Sequence, residues 1–106
     1  MEQTYDWILT SVFSEDDFVG TEIYKNYTAE EAKEILLNYI RSDKDSAEDN
    51  HYSVYSATLD PEDIKISRGD DGIPDEMCGN IMFDDFHYSY SIKRMDTLEK
   101  YENEKA

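Results

Sequence analysis

Two short phrases of this sequence carry both of its histidines and repeat one order of side chains. EDNHYSVYS and DDFHYSYS each place two acids ahead of a His-Tyr-Ser run. Two imidazoles and one carboxylate can bind iron when the three ligands converge on one point. If the phrases formed neighbouring strands in matching positions, His51 and His87 would lie close together, with Asp49 or Asp85 adding an oxygen ligand.

Other features of the sequence argue against catalysis or metal binding. The ligands would lie at the ends of a sheet, without a second shell of residues to orient them. We therefore favour the interpretation that both histidines are half-exposed side chains at the starts of strands rather than metal ligands. Ser53 and Ser89 lie two residues beyond a histidine, roughly 6.6 Å along a strand, which is too far for a nucleophilic Ser–His pair. Cys78 is more typical of a small packed side chain. We predict no enzyme activity, no catalytic or metal-binding residue and no cofactor. A metal enzyme that uses both histidines is kept as an alternative, behind the two binding functions described below.

Charge is the dominant property of the chain. Its 106 residues include 10 Lys and Arg against 26 Asp and Glu, a formal net charge of −16 at pH 7. Like-charge repulsion disfavours nucleic acid and anionic membranes as partners and favours basic proteins. Solubility alone is the competing explanation. The single cysteine suits a reducing compartment, and neither a signal-peptide pattern nor a membrane-spanning apolar run is recognisable, so we expect a cytoplasmic protein.

The hydrophobic pattern predicts one acidic α+β domain over residues 1–106, with residues 102–106 frayed. Thr28 and Glu31 form a capping box, and apolar residues then recur at helical spacing as far as Ile40. Runs rich in β-branched and aromatic residues predict strands on both sides of this helix. The expected fold is one main helix packed on a mostly antiparallel sheet of four to five strands, in two layers.

Four local predictions accompany this fold. Residues 42–50 have the composition of a polar connection after the helix. Apolar groups on both faces of residues 4–13 predict a central strand with cover on each side. Gly20 predicts a turn or bulge before the second strand. The run RGDDGIPDE, residues 68–76, is typical of a loop that joins two strands.

The acids concentrate in predicted loops and strand ends, where we expect them to be exposed. Residues 43–76 hold eleven acids and three bases, a net charge of −8. Acids at alternate strand positions repeat at roughly 6.6 Å, on the scale of neighbouring phosphates, and such a surface suits a groove lined with Lys and Arg. The predicted partner-binding acids are Glu15, Asp16, Asp17, Glu48, Asp49, Asp70, Asp71, Asp75, Glu76, Asp84 and Asp85. The predicted aromatic anchors at their rims are Phe18, Tyr52 and Phe86.

The overall character of the chain resembles the small inhibitors of phages and mobile elements, of the anti-CRISPR and anti-restriction type. The shared features are short length, strong acidity, few cysteines and many aromatic residues in an α+β pattern, and no functional residue is carried over. The resemblance implies a nucleic-acid mimic that blocks the PAM-reading cleft or guide-RNA channel of an RNA-guided CRISPR nuclease. The alternative is an accessory or adaptor protein of a mobile element that docks through an aromatic sheet face or an open strand edge.

Overall fold

The computed structural model describes residues 3–13, 18–84 and 86–96, which form one long helix packed on one six-stranded sheet. In chain order the elements are β1 (Tyr5–Phe13), β2 (Phe18–Tyr27), α1 (Ala29–Asp49), β3 (Val54–Ala57), a 3-10 turn (Pro61–Asp63), β4 (Lys65–Arg68), β5 (Pro74–Phe83) and β6 (His87–Arg94). The strand order is β2-β1-β6-β5-β3, and β4 also pairs with β5. The predicted two-layer α+β fold is confirmed, with six strands where four to five were expected. The predicted fraying of residues 102–106 lies outside the described residues.

The core is the contact between α1 and one face of the sheet. The capping box predicted at the start of the helix is present, with reciprocal hydrogen bonds of 2.9 and 3.1 Å between Thr28 and Glu31. The helix buries one stripe of side chains, Ala32, Leu36, Leu37 and Ile40. The stripe packs on alternate residues of the central strands, namely Trp7, Leu9, Met77, Ile81, Tyr90 and Ile92.

Gly79 allows α1 to lie close to the sheet. A Cβ atom at this position would lie 2.7 Å from Cδ1 of Ile40 and 3.1 Å from Cβ of Thr58. The first distance is too short for two carbon atoms in a packed interior. The missing side chain of Gly79 is therefore part of the contact between helix and sheet.

Helix α1 is longer than the sequence pattern predicted. It continues to Asp49, so the prediction of a polar connection at residues 42–50 is wrong. Asp43 faces the sheet and accepts a hydrogen bond of 2.7 Å from the hydroxyl of Tyr90, and burial together with this carboxylate raises the pKa of Tyr90. One turn later, Ala47 packs against the core. The inward positions of the last two turns thus carry an acid and a small residue, which the apolar repeat does not reveal.

The second face of the sheet is largely open among the described residues. β1 is central, between β2 and β6, but Val12 on its outer face is 37% exposed. The prediction of cover on both sides of this strand is therefore wrong. An antiparallel sheet can expose one face because core and solvent positions alternate along each strand.

The two edges of the sheet differ in length and continuity. β3 and β4 lie end to end along one side of β5, interrupted by the 3-10 turn that begins at Pro61. The other edge is β2, a strand of ten residues. Gly20 lies inside this strand, opposite Ser11, so the predicted turn or bulge at Gly20 is wrong.

The predicted loop at residues 68–76 is a hairpin connection, as expected, but a shorter one. The turn between β4 and β5 occupies residues 69–73, and β5 already begins at Pro74. Gly72 has the positive φ of 76° that a tight turn favours. The hairpin tip lies at the end of the sheet opposite to the β5–β6 turn.

Candidate functional site

The end of the sheet at which β5 turns into β6 brings together residues from distant parts of the chain. Phe13, at the end of β1, pairs with Tyr88 near the start of β6, and β2 begins opposite Phe13. After α1 the chain arrives at the same place, because the ring of Tyr52 contacts that of Phe86. We term this region the aromatic end, defined by Phe13, Tyr52, Phe83, Phe86 and Tyr88.

Phe86 is the central ring of the aromatic end. It stacks on Phe83, with centroids 4.3 Å apart and planes inclined by 19°. Tyr52 and Phe13 approach it at 5.8 and 5.1 Å, with their planes at 89° and 85° to its own. Stacked and edge-to-face pairs are the favoured arrangements of aromatic rings. Phe83 is buried, Phe86 is half-buried and Tyr52 is 54% exposed, so the cluster runs from the core out to the solvent.

Tyr52 is positioned by the way in which α1 ends. The N–H of Tyr52 donates to the carbonyl of Ala47 at 3.0 Å, and the N–H of His51 donates to the carbonyl of Glu48 at 3.0 Å. These two hydrogen bonds form a Schellman motif. The motif requires a residue in the left-handed conformation just beyond the end of the helix, and His51 takes that conformation with a φ of 68°. The backbone of His51 therefore directs the chain so that Tyr52 reaches the aromatic rings.

The two histidine phrases have different structures. His51 lies in a turn that ends a helix, whereas His87 begins β6. β3, in which the first phrase ends, is separated from β6 by β5. The interpretation of both histidines as strand starts is thus wrong for His51. Within the described ranges, no group of three or more His, Cys, Asp and Glu side chains is arranged to bind a metal ion.

Three of the predicted partner-binding acids lie at the aromatic end. Glu48 and Asp49 are exposed in the last turn of α1, and Asp84 is exposed at the bend after β5. Lys44 forms an ion pair with Glu48 at 2.8 Å. The last turn of the helix contains no basic residue, and the helix C-terminus carries the negative end of the macrodipole. Negative charge is therefore concentrated where α1 leads into the exposed ring of Tyr52, although Lys44 offsets part of it.

Four other predicted acids lie at the opposite end of the sheet, in the β4–β5 turn and the start of β5, namely Asp70, Asp71, Asp75 and Glu76. Glu76 forms an ion pair with Lys93 at 3.4 Å, and Asp71 forms one with Arg94 at 3.1 Å. Asp70 is exposed and Asp75 is half-buried. Two of these four carboxylates thus have basic partners within the fold, against one of three at the aromatic end, which makes this end a weaker candidate for binding a basic protein.

Arg94 holds the tip of the β4–β5 hairpin against the sheet. It is 4% exposed, and its guanidinium lies 4.8 Å from the ring centroid of Tyr5. Its Nη1 and Nε atoms lie 3.1 Å from a carboxylate oxygen of Asp71 and 3.2 Å from one of Asp96. Asp71 also accepts a hydrogen bond of 3.0 Å from the N–H of Ile73. That backbone donor and the guanidinium hold the pKa of Asp71 below its usual value, so this carboxylate has a structural role.

The remaining predicted residues fall on parts of the chain for which no structure is described. Glu15, Asp16, Asp17 and Asp85 lie outside the described residues, and so does the side chain of Phe18. Their roles as partner-binding residues stay predictions.

Cys78 lies on the open face of the sheet, in a shallow trough of about 480 Å³. The trough is lined mainly by small polar side chains, including Thr10, Asn80, Ser89 and Ser91. Burial and the neighbouring Glu76 raise the pKa of the Cys78 thiol. Because the thiolate is the reactive form of cysteine, this environment disfavours a nucleophilic role.

The open edge of β2 is a second candidate surface. In the part of the chain that the structure describes, β2 pairs with β1 alone. An unpaired edge can receive an added strand from a partner, and Ile23 on β2 is 54% exposed. Lys25 and the left-handed Asn26, with a φ of 65°, are features by which edge strands resist unwanted pairing.

Comparisons with protein-family models, curated proteins and solved structures find no match for this chain. No helix among the described residues is long and apolar enough to cross a membrane.

Replacing His51 by glycine should stabilise the protein, because glycine has no steric penalty in the left-handed conformation. The expected gain in the free energy of unfolding is about 1 kcal/mol. His51→Ala, which removes the imidazole but keeps a Cβ, should leave the stability close to that of the parent protein. Urea denaturation followed by Trp7 fluorescence measures both variants. A large loss of stability in both would show that the imidazole, rather than the backbone, matters.

The ion pair between Asp71 and Arg94 should make stability depend on pH. The pKa of Asp71 is lowered in the folded protein, so its contribution is fully present above the unfolded pKa of about 4 and is lost as pH falls through the folded pKa. Asp71→Asn should therefore lower the free energy of unfolding at pH 7 relative to Asp70→Asn, the matched neutralisation of the neighbouring residue. Urea denaturation at decreasing pH should show this difference shrinking to zero. A difference independent of pH would contradict the assignment.

Proposed function

We propose that this chain is a non-enzymatic inhibitor that binds a basic nucleic-acid-binding protein through its acidic aromatic end. The observation that carries the proposal is the meeting of exposed acids with the exposed ring of Tyr52 and the half-buried ring of Phe86, from two separate segments. Residues 48–52 contribute two acids and Tyr52, and residues 83–88 contribute Asp84 and Phe86. Charged groups around a central aromatic anchor are the usual composition of a protein-binding surface.

The position of the acids supports binding over solubility alone. Glu48 and Asp49 lie at the C-terminus of α1, where the macrodipole makes a negative charge unfavourable by about 0.3–1 kcal/mol. Lys44 precedes Glu48 by four residues, which is the weaker order for such a pair on a helix. A chain that needed charge only for solubility would gain stability by placing these acids elsewhere. A surface that receives a basic partner requires them beside the rings.

An RNA-guided CRISPR nuclease is the target that we propose, with the inhibitor acting in the cytoplasm. Such an enzyme holds its guide and its target duplex in grooves lined with Arg and Lys. Long-range attraction to a protein of net charge −16 would accelerate the encounter with such a groove and would weaken as salt increases. Occupying the groove would block guide loading or recognition of the PAM.

An adaptor protein of a mobile element is the second candidate function. The long open edge of β2, with Ile23 exposed on it, favours docking of a partner strand. Such binding depends on backbone hydrogen bonds and apolar contacts, so it would be less sensitive to salt than binding through acids.

Reversing the charge of the aromatic end should abolish inhibition. The test variant is Glu48→Lys/Asp49→Lys/Asp84→Lys. The matched control is Glu34→Lys/Glu62→Lys/Asp70→Lys, which alters three exposed acids away from the aromatic end and produces the same change in net charge. Guide loading and DNA cleavage are measured with a panel of purified RNA-guided nucleases at two salt concentrations. We expect the control to inhibit a nuclease at low salt and the test variant to have lost that activity. Equal inhibition by both variants would refute the proposal.

A further inference from the structure

Among the large hydrophobic side chains that the structure describes, Tyr55 is the most exposed, at 80%. We infer that Tyr55 is an aromatic anchor of the partner-binding surface and takes the place of an unstacked base in a single-strand groove of the partner. This inference rests on the proposed function. It selects guide loading, rather than recognition of the PAM, as the step that is blocked.

A β-bulge in β3 holds Tyr55 away from the sheet. Val54 is paired with Phe83. The next residue of β5 towards its start, Met82, is paired with Ser56 rather than with Tyr55, so Tyr55 is the extra residue of the bulge. Bulges are common at sheet edges, where they redirect a side chain. Ser56 takes the position opposite Met82, and the ring of Tyr55 is left in the solvent.

Neither the core nor the protection of the sheet edge explains the ring of Tyr55. A side chain that is 80% exposed contributes little buried area. A bulge by itself disturbs the pairing of an edge strand, and a serine or a lysine at its tip would serve this purpose without exposing a ring. Tyrosine is among the residues that contribute most to the affinity of protein interfaces. Contact with a partner is therefore the better explanation.

Tyr55 continues the surface of the aromatic end. It lies three residues after Tyr52, so the Cα atoms of the two tyrosines are at most about 11 Å apart. Val54, the residue before it, pairs with Phe83, whose ring centroid lies 6.2 Å from that of Tyr52. Tyr52 is 54% exposed, and Asp49 is exposed at the end of the helix. One short stretch of chain thus presents two exposed rings and an exposed acid.

Exposed rings close to acids suit a groove for single strands better than a cleft for duplex DNA. The bases of a duplex are stacked on one another, and a protein that reads the duplex contacts phosphates and base edges. The bases of a single strand are unstacked, and its binding proteins place aromatic or arginine planes against them. A tyrosine ring can stack on such a plane as a base does, while carboxylates replace phosphates. In the proposed target, the guide-RNA channel before loading is a groove of this kind.

Substitutions of Tyr55 provide the first test, with a panel of purified, guide-free RNA-guided nucleases. We expect Tyr55→Ser to bind at least about tenfold more weakly than the parent chain, and Tyr55→Phe, which keeps the ring, to bind within about twofold of it. The urea midpoint of both variants should be unchanged, because the ring is exposed. The control is Ile23→Ser, which alters a residue 54% exposed on β2 and should bind as the parent does. Parent-like binding by Tyr55→Ser would overturn the inference.

Competition identifies the groove. The complex of the parent chain with a guide-free nuclease is challenged with guide RNA or with a DNA duplex that contains the PAM. We expect guide RNA to displace the chain, and the guide-loaded nuclease to have lost its affinity for it. Equal binding to the guide-free and guide-loaded enzymes, or displacement by the duplex alone, would also overturn the inference.

The outcomes separate this inference from the proposed function. If Tyr55→Ser binds and inhibits like the parent chain, while reversing the charge of the aromatic end abolishes inhibition, the inference fails and the proposed function stands. If the charge-reversed protein inhibits as well as its control, the proposed function fails whatever the Tyr55 variants show. If the parent chain binds no nuclease of the panel, both fail.

Discussion

The contact between one helix and one face of one sheet is the constraint on which the rest of the structure depends. It buries the apolar stripe of α1 on the central strands, and Gly79 allows the approach because a Cβ there would meet Ile40 at 2.7 Å. The helix begins beside the end of β2 and runs on past Asp43, which is tied to Tyr90 on β6. Its C-terminus thus arrives at the β5–β6 turn, where Tyr52 meets the rings of that turn.

Negative charge at that end opposes the stability of the helix and matches the proposed role. The last turn of α1 holds Glu48 and Asp49 and no base, so macrodipole and side chains add to one negative field. The other end of the sheet contrasts with it, because the charges of Asp71 and Glu76 are used in ion pairs with β6. At the aromatic end Asp49 and Asp84 are exposed, while Glu48 has an ion pair with Lys44.

The sequence predicted the parts of the fold that depend on local patterns. The capping box at Thr28, the two-layer α+β class and the hairpin after β4 follow from short-range spacing and composition. The end of α1 was missed because Asp43 faces inward to meet Tyr90, a contact 47 residues away in the chain. The role of His51 was missed because the left-handed position usually carries glycine. The sequence indicates Tyr52 and Phe86 as separate anchors. Their contact depends on the length of the helix and the order of the strands, which single-sequence patterns do not contain.

Amide hydrogen exchange of the chain, alone and mixed with a purified RNA-guided nuclease, tests the proposed binding surface. We expect binding to protect residues 47–52 and 83–88, at the aromatic end, and guide RNA or target DNA to compete for the same complex. Protection confined to β2 would contradict this proposal and would favour docking through the open strand edge instead.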